Sequence, residues 1–125
     1  MIPAFVYVGI GGACGAICRF WISSQLNTQD GFPYGTLCAN AVGCLILGLL
    51  GTYLSNRVHP EWKFIISTGF LGALTTFSTF SFETIQFVLR DQWKIAALYF
   101  FAQILSGGIL TLLGVKIAQY FLSTS

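Results

Sequence analysis

The sequence predicts an all-α integral membrane protein of four transmembrane helices, and three observations predict it. Of its 125 residues, 55% are hydrophobic and only 8% are charged, where soluble domains carry about 25% charge. Mean hydropathy is +0.77. The apolar residues also gather into four stretches, each near or above the ~20 residues that a helix needs to cross hydrocarbon.

The first stretch covers 3–26, with Arg19 its sole charge. The second covers 34–55 and carries none. The third covers 62–89, with Lys63 at its start and Glu83 inside. The fourth covers 95–122, with Lys116 near its end. Short polar connections fill 27–33, 56–61 and 90–94, so 1–125 reads as a single membrane domain. Pro33 and Pro60 stand where helices are expected to start. Trp21, Trp62, Trp93, Tyr34 and Tyr120 lie near the span ends, as an interfacial aromatic belt requires.

Composition also argues against several functions. The net charge of +2 is small and scattered, so nucleic-acid binding is not expected. Cys14, Cys18, Cys38 and Cys44 all lie in apolar stretches without a nearby His, and read as small packing residues. The single His, His59, is in a loop beside Pro60. Asp30 and Asp91 are in loops, and Glu61 is at a span start. No catalytic set, metal cluster or phosphate loop emerges, so neither an enzyme nor an organic cofactor is expected. The N-terminus lacks the basic start of a cleavable signal, and no lipidation motif ends the chain.

Topology is less decided. Arg57, Lys63 and Lys116 fall on one side of the membrane, and Arg19, Arg90 and Lys94 on the other. Equal basic counts give the positive-inside rule nothing to act on. A dual-topology protein and a protein oriented by other means both fit. Small residues stripe several spans: Gly11 and Gly15, then Asn40, Cys44 and Gly48, then Gly107, Thr111 and Val115. Such stripes let helices approach closely, between subunits or within one.

The third span is the unusual one. Thr75, Thr76, Ser78, Thr79 and Ser81 are interleaved with Phe77 and Phe80, and Gly69 and Gly72 precede them. A backbone break over 72–76 would free carbonyls, which is tolerable in a membrane only against protein, water or an ion. An ordinary helix whose hydroxyls bond back one turn fits the pattern equally well. Thr36 and Asn40 in the second span are spaced i, i+4, as are Tyr99, Gln103, Gly107 and Thr111 in the fourth. These side chains line an aqueous path or glue helices together. They are mainly donors, and aromatic edges are positive. A small anion therefore suits them better than a cation. Glu83 departs from that logic; an acid inside a span is functional by default, and nearby hydroxyls are its natural donors.

Three motifs resemble the Fluc/CrcB family of fluoride channels. They are Gly11-Gly-Ala-Cys-Gly-Ala-Ile-Cys-Arg19, Gly35-Thr-Leu-Cys-Ala-Asn40 and Gly69-Phe-Leu-Gly-Ala-Leu-Thr-Thr-Phe-Ser-Thr-Phe-Ser-Phe-Glu83. The last is long and specific, and the resemblance covers essentially the whole chain. It implies a passive fluoride channel in the cell membrane that lowers cytoplasmic fluoride. It also implies an antiparallel, dual-topology homodimer in the lipid bilayer, with the third helix broken mid-membrane. A structural, non-transported sodium ion at the dimer centre would bind the Gly72 and Thr75 carbonyls of both subunits. The resemblance puts Phe77, Phe80, Asn40, Ser78, Thr79, Tyr99 and Thr111 on the fluoride pore, and Arg19 and Glu83 at its vestibule. The chain departs from the family at Gly107, where some members have serine, and at Ala73, where many have glycine. A small multidrug-type transporter is the main rival; it relies on an acid in its first span, and none is present here. A packing-only membrane assembly subunit is the other.

Overall fold

The computed structural model describes residues 3–29, 31–57 and 59–124. Asp30, Val58 and the side chains of Asn56 and Arg57, the last counted in the charge balance, lie outside the described residues. The fold is all-helical, with four segments long and apolar enough to cross a membrane: Ala4–Leu26, Tyr34–Ser55, Pro60–Leu89 and Trp93–Ser123.

Helix α1 is Ala4–Leu26 and helix α2 is Tyr34–Arg57. Both are apolar around most of their circumference, as helices facing lipid and protein together must be. Phe5, Phe20 and Trp21 on α1 stay exposed, available to acyl chains. Pro60 opens the third segment within the short helix α3, Pro60–Trp62. Its ring fixes φ, and its missing N–H costs nothing in a first turn.

The third segment is not one uniform helix. Lys63–Leu71 winds as a π-helix, wider than the α-helix expected there. A π-helix this long is rare, and packing explains it better than propensity does. The segment lies against α1 backbone to backbone. Any side chain at Gly11 would strike the Ile65 carbonyl, and one at Gly15 the Phe70 carbonyl. A Cβ at Gly69 would stand 2.7 Å from the Val8 carbonyl. Helix α4 follows at Gly72–Leu74. Thr75 and Thr76 are then extended, with φ/ψ of −84°/149° and −148°/118°. Helix α5 resumes at Phe77–Leu89.

A tight turn joins α5 to α6, Trp93–Ser123. Asp91 takes a left-handed φ of 58°. Its N–H reaches the Val88 carbonyl at 3.1 Å, and the Gln92 N–H reaches Phe87 at 2.9 Å. This paired pattern caps the last carbonyls of a helix, and Asp is among the few residues besides Gly that tolerate its conformation.

Two packed pairs make the bundle. Helices α2 and α6 share the most extensive interface, and α1 packs on the π segment and α4. Gly48 and Gly114 bring the α2 and α6 backbones together, at Thr111 and at Leu45. The glycines of all three small-residue stripes thus face neighbours within the chain. One core gathers Phe80, Phe87, Ala96 and Tyr99; the other gathers Ala39, Leu71 and Leu74.

Candidate functional site

The site grows from the Thr75–Thr76 interruption. Two extended residues leave helical backbone groups without their usual partners, and side chains replace them. The Asn40 amide on α2 clamps Thr76 from both ends: the Thr76 N–H donates to Oδ1 at 2.7 Å, and Nδ2 donates to the Thr76 carbonyl at 3.1 Å. Arg19 on α1 donates from Nε to the Ala73 carbonyl at 3.0 Å. Thr76 also starts α5, its Oγ1 accepting the Thr79 N–H at 3.2 Å. A threonine at this N-cap position satisfies a donor that the new helix would otherwise leave free. The Thr79 hydroxyl and Ser78 lie 3.0 and 3.3 Å from the same oxygen.

From Asn40 a chain of hydrogen bonds crosses the bundle. Asn40 Nδ2 donates to Gln103 Oε1 at 3.0 Å. Gln103 Nε2 donates to the Tyr99 hydroxyl at 2.9 Å, which donates to Glu83 Oε2 at 2.5 Å. On the other carboxylate oxygen, Thr36 donates to Oε1 at 2.9 Å. Asn27 Nδ2 lies 3.4 Å from Thr36 Oγ1, and Asn27 Oδ1 accepts the Gly35 N–H at 2.7 Å. Thr36 and Tyr99 are fully buried, at 1% and 0% exposure, so neither hydroxyl has water as an alternative.

The direction of every bond is set at the two ends. A backbone N–H only donates, so Gly35 dictates that Asn27 presents oxygen to it, and Thr76 dictates the same for Asn40. Each amide's NH₂ is thereby turned inward. Two arms of donors then converge on Glu83, which accepts from both. A charged acceptor at the meeting point strengthens each bond.

Two cavities open on this chain. One, of about 180 Å³, lies at the α1–α2 connection and is lined by Asn27, Glu83, Gln86 and Arg90, among others. The other, of about 210 Å³, lies at the interruption, with Asn40, Thr75, Thr76, Phe77, Phe80 and Gln103 on its wall. Gly107, Cys44 and Ile104 complete that wall. Phe77 is 74% exposed and Phe80 is 4% exposed, their rings 5.6 Å apart at 71°. Phe80 meets the Tyr99 ring edge-wise at 5.6 Å as well.

Several residues singled out from the sequence therefore meet. Asn40, Phe77 and Phe80 share one cavity, Tyr99 and Glu83 are bonded, and Ser78 and Thr79 gather on Thr76. Thr111 stands apart, its backbone packed against Gly48. Arg19 reaches the Ala73 carbonyl just before the interruption, and Glu83 lines the cavity at the α1–α2 connection. Thr36 and Gln103 carry more of the chain than their spacing alone conveyed. Asn27 was invisible to the sequence, because a loop asparagine has no periodicity. Among the described residues no His/Cys/Asp/Glu cluster forms a metal site, and the four cysteines are unbridged.

Four apolar helical segments threaded by a polar chain define a multi-pass membrane protein. The sequence matches the family model "CrcB-like protein, Camphor Resistance (CrcB)" over residues 6–115, and the chain belongs to that family. It is 42% identical over 115 residues to the "Fluoride-specific ion channel FluC" of Oceanobacillus iheyensis, covering 90% of this chain and 89% of that one. To the "Fluoride-specific ion channel FluC 1" of Staphylococcus aureus strain bovine RF122 it is 47% identical over 117 residues, covering 90% and 94%. To the FluC of Acidobacterium capsulatum it is 40% identical over 121 residues, covering 92% and 95%. These relatives are bacterial and named as channels, not as enzymes, in keeping with a multi-pass protein of the cell membrane.

Proposed function

We propose that this protein is a fluoride-specific channel that lets fluoride leave the cytoplasm passively. The observation that carries the reading is the hydrogen-bonded line from Asn27 to Thr76, two arms of donors meeting at Glu83, which joins one cavity to the other across the bundle. Fluoride is a small, strongly hydrated acceptor. A path of hydroxyls, amides and aromatic edges replaces its water with donors. In this reading Phe77 and Phe80 turn ring edges to the ion. Asn40, Ser78, Thr79, Tyr99 and Thr111 supply donors, and Arg19 adds positive charge beside the interruption. Glu83 holds the hydroxyls in order when no anion is present. The names of the relatives support fluoride as the ion.

The working unit in this proposal is an antiparallel, dual-topology homodimer, with the interruption near mid-membrane. Two observations support it. Basic residues near the span ends almost balance, Arg57, Lys63 and Lys116 against Arg90 and Lys94, and Gly72 is exposed beside an irregular backbone. Irregular backbone is tolerated at membrane depth only against protein or in a water-filled cavity, and a second copy supplies the protein. A structural sodium ion fits the same place. Among the described residues, no hydrogen bond within the chain engages the Gly72 or Thr75 carbonyl, whereas Leu71, Ala73 and Thr76 are engaged. Free carbonyl oxygens suit a hard cation. Those of Gly72 and Thr75 from both subunits would hold the ion, which supplies positive charge and a tie between subunits.

Expression in bacteria deprived of their own fluoride export should restore growth in fluoride medium. Unchanged sensitivity, with the protein present in the membrane, would count against the reading.

A further inference from the structure

Asn27 ends α1, its N–H donating to the Ser23 carbonyl at 2.9 Å. Its side chain faces the first turn of α2 from outside. The Gly35 N–H fixes Oδ1 there at 2.7 Å, in a space so close that a Cβ on Gly35 would stand 2.8 Å from that oxygen. The donor end of the amide must then point to Thr36 Oγ1, 3.4 Å away. A hydroxyl has one proton. With a donor already aimed at its oxygen, Thr36 directs that proton to Glu83 Oε1. Asn27 and Glu83 also line the same 180 Å³ cavity.

We infer that Asn27 is a positioning residue for the anion path: it fixes the direction of the Thr36 proton and so holds Glu83 against the inner wall of the mouth cavity. The inference rests on the channel reading. Without the Asn27 NH₂, the Thr36 hydroxyl turns freely and Glu83 Oε1 loses a constant donor. The carboxylate then swings into the mouth and meets the arriving anion with its own charge. Asn27 lies away from the interruption and from Phe77 and Phe80 and itself lines the mouth, so a double variant of Asn27 and Thr36 separates a route through Thr36 from a direct one.

That route has a distinct signature in fluoride efflux from proteoliposomes. Asn27→Ala and Thr36→Val should each slow efflux about tenfold, the scale of one hydrogen bond to a charged group. The double variant should be no slower than Thr36→Val alone. Asn27→Asp keeps an acceptor for the Gly35 N–H and removes the donor to Thr36. It should slow efflux by a similar factor, and equally at low and high background salt, because an added mouth charge would be screened. Asn27→Asp decides the matter if Asn27→Ala does not fold. Wild-type efflux in Asn27→Asp, or losses that multiply in the double variant, would overturn the assignment. A wild type without fluoride efflux would overturn the channel reading itself, and the assignment with it.

Discussion

Phe80 illustrates what a single residue contributes. Its ring is almost fully buried and takes edge contacts from Phe77 and Tyr99. Phe80→Ile keeps an apolar side chain and removes the polarised ring edge, whose contacts with neighbouring rings are worth about 0.5–1.5 kcal/mol each. Fluoride efflux should fall by up to about tenfold while the protein still elutes as the assembled species. Wild-type efflux would remove that ring from the path. Asn40 does a different job. Its two bonds to Thr76 replace what the helix lost, so Asn40→Ala leaves an N–H and a C=O unpaired, at about 1–3 kcal/mol each. Its melting temperature in detergent should drop clearly; an unchanged value would mean that water fills the gap. The sequence made Phe80 and Asn40 visible through interleaving and i, i+4 spacing. It left Asn27 and the Arg19–Ala73 bond unseen. Those depend on which backbone groups arrive nearby, 8 and 54 positions away.

At the scale of elements, four spans were legible because hydrocarbon imposes their length and composition. So was an unusual third span, since hydroxyls and glycines replaced apolar residues there. Two possibilities remained open, a break and an ordinary helix, because propensity separates them poorly. The extended Thr75 and Thr76 lie at the end of the expected interval, and Gly72–Leu74 is still helical. The π-helix had no signal at all. Gly69 and the β-branched Ile65, Ile66 and Thr68 weaken an α-helix over Lys63–Leu71 without specifying a π-helix, and the segment lies backbone to backbone on the glycine face of α1. That face gives a clean contrast within one helix. Gly15→Val should destabilise by about 1–3 kcal/mol through overpacking on Phe70. Gly9→Ala, with nothing within 4 Å of the new Cβ, should stabilise by about 0.5–1 kcal/mol. Thermal unfolding in one detergent compares the two; equal effects would refute the backbone-contact account.

For the molecule as a whole, the chain packs the glycines of its small-residue stripes internally and joins polar side chains at the end of α1 and on α2, α5 and α6 into one connected line. Much of what remains exposed is apolar side chain, which lipid covers; the irregular backbone beside the exposed Gly72 is what lipid does not satisfy. The proposed dimer and sodium ion answer that second need together. Reconstitution with a larger organic cation in place of sodium should therefore lower fluoride flux, and equal flux after rigorous sodium removal would reject a structural ion. The polar line is proposed to conduct fluoride downhill. That conduction is tested most directly by purified protein in liposomes loaded with fluoride or chloride, without ATP or a proton gradient. Fluoride should leave and chloride should stay. Folded protein that releases no fluoride would contradict the proposal.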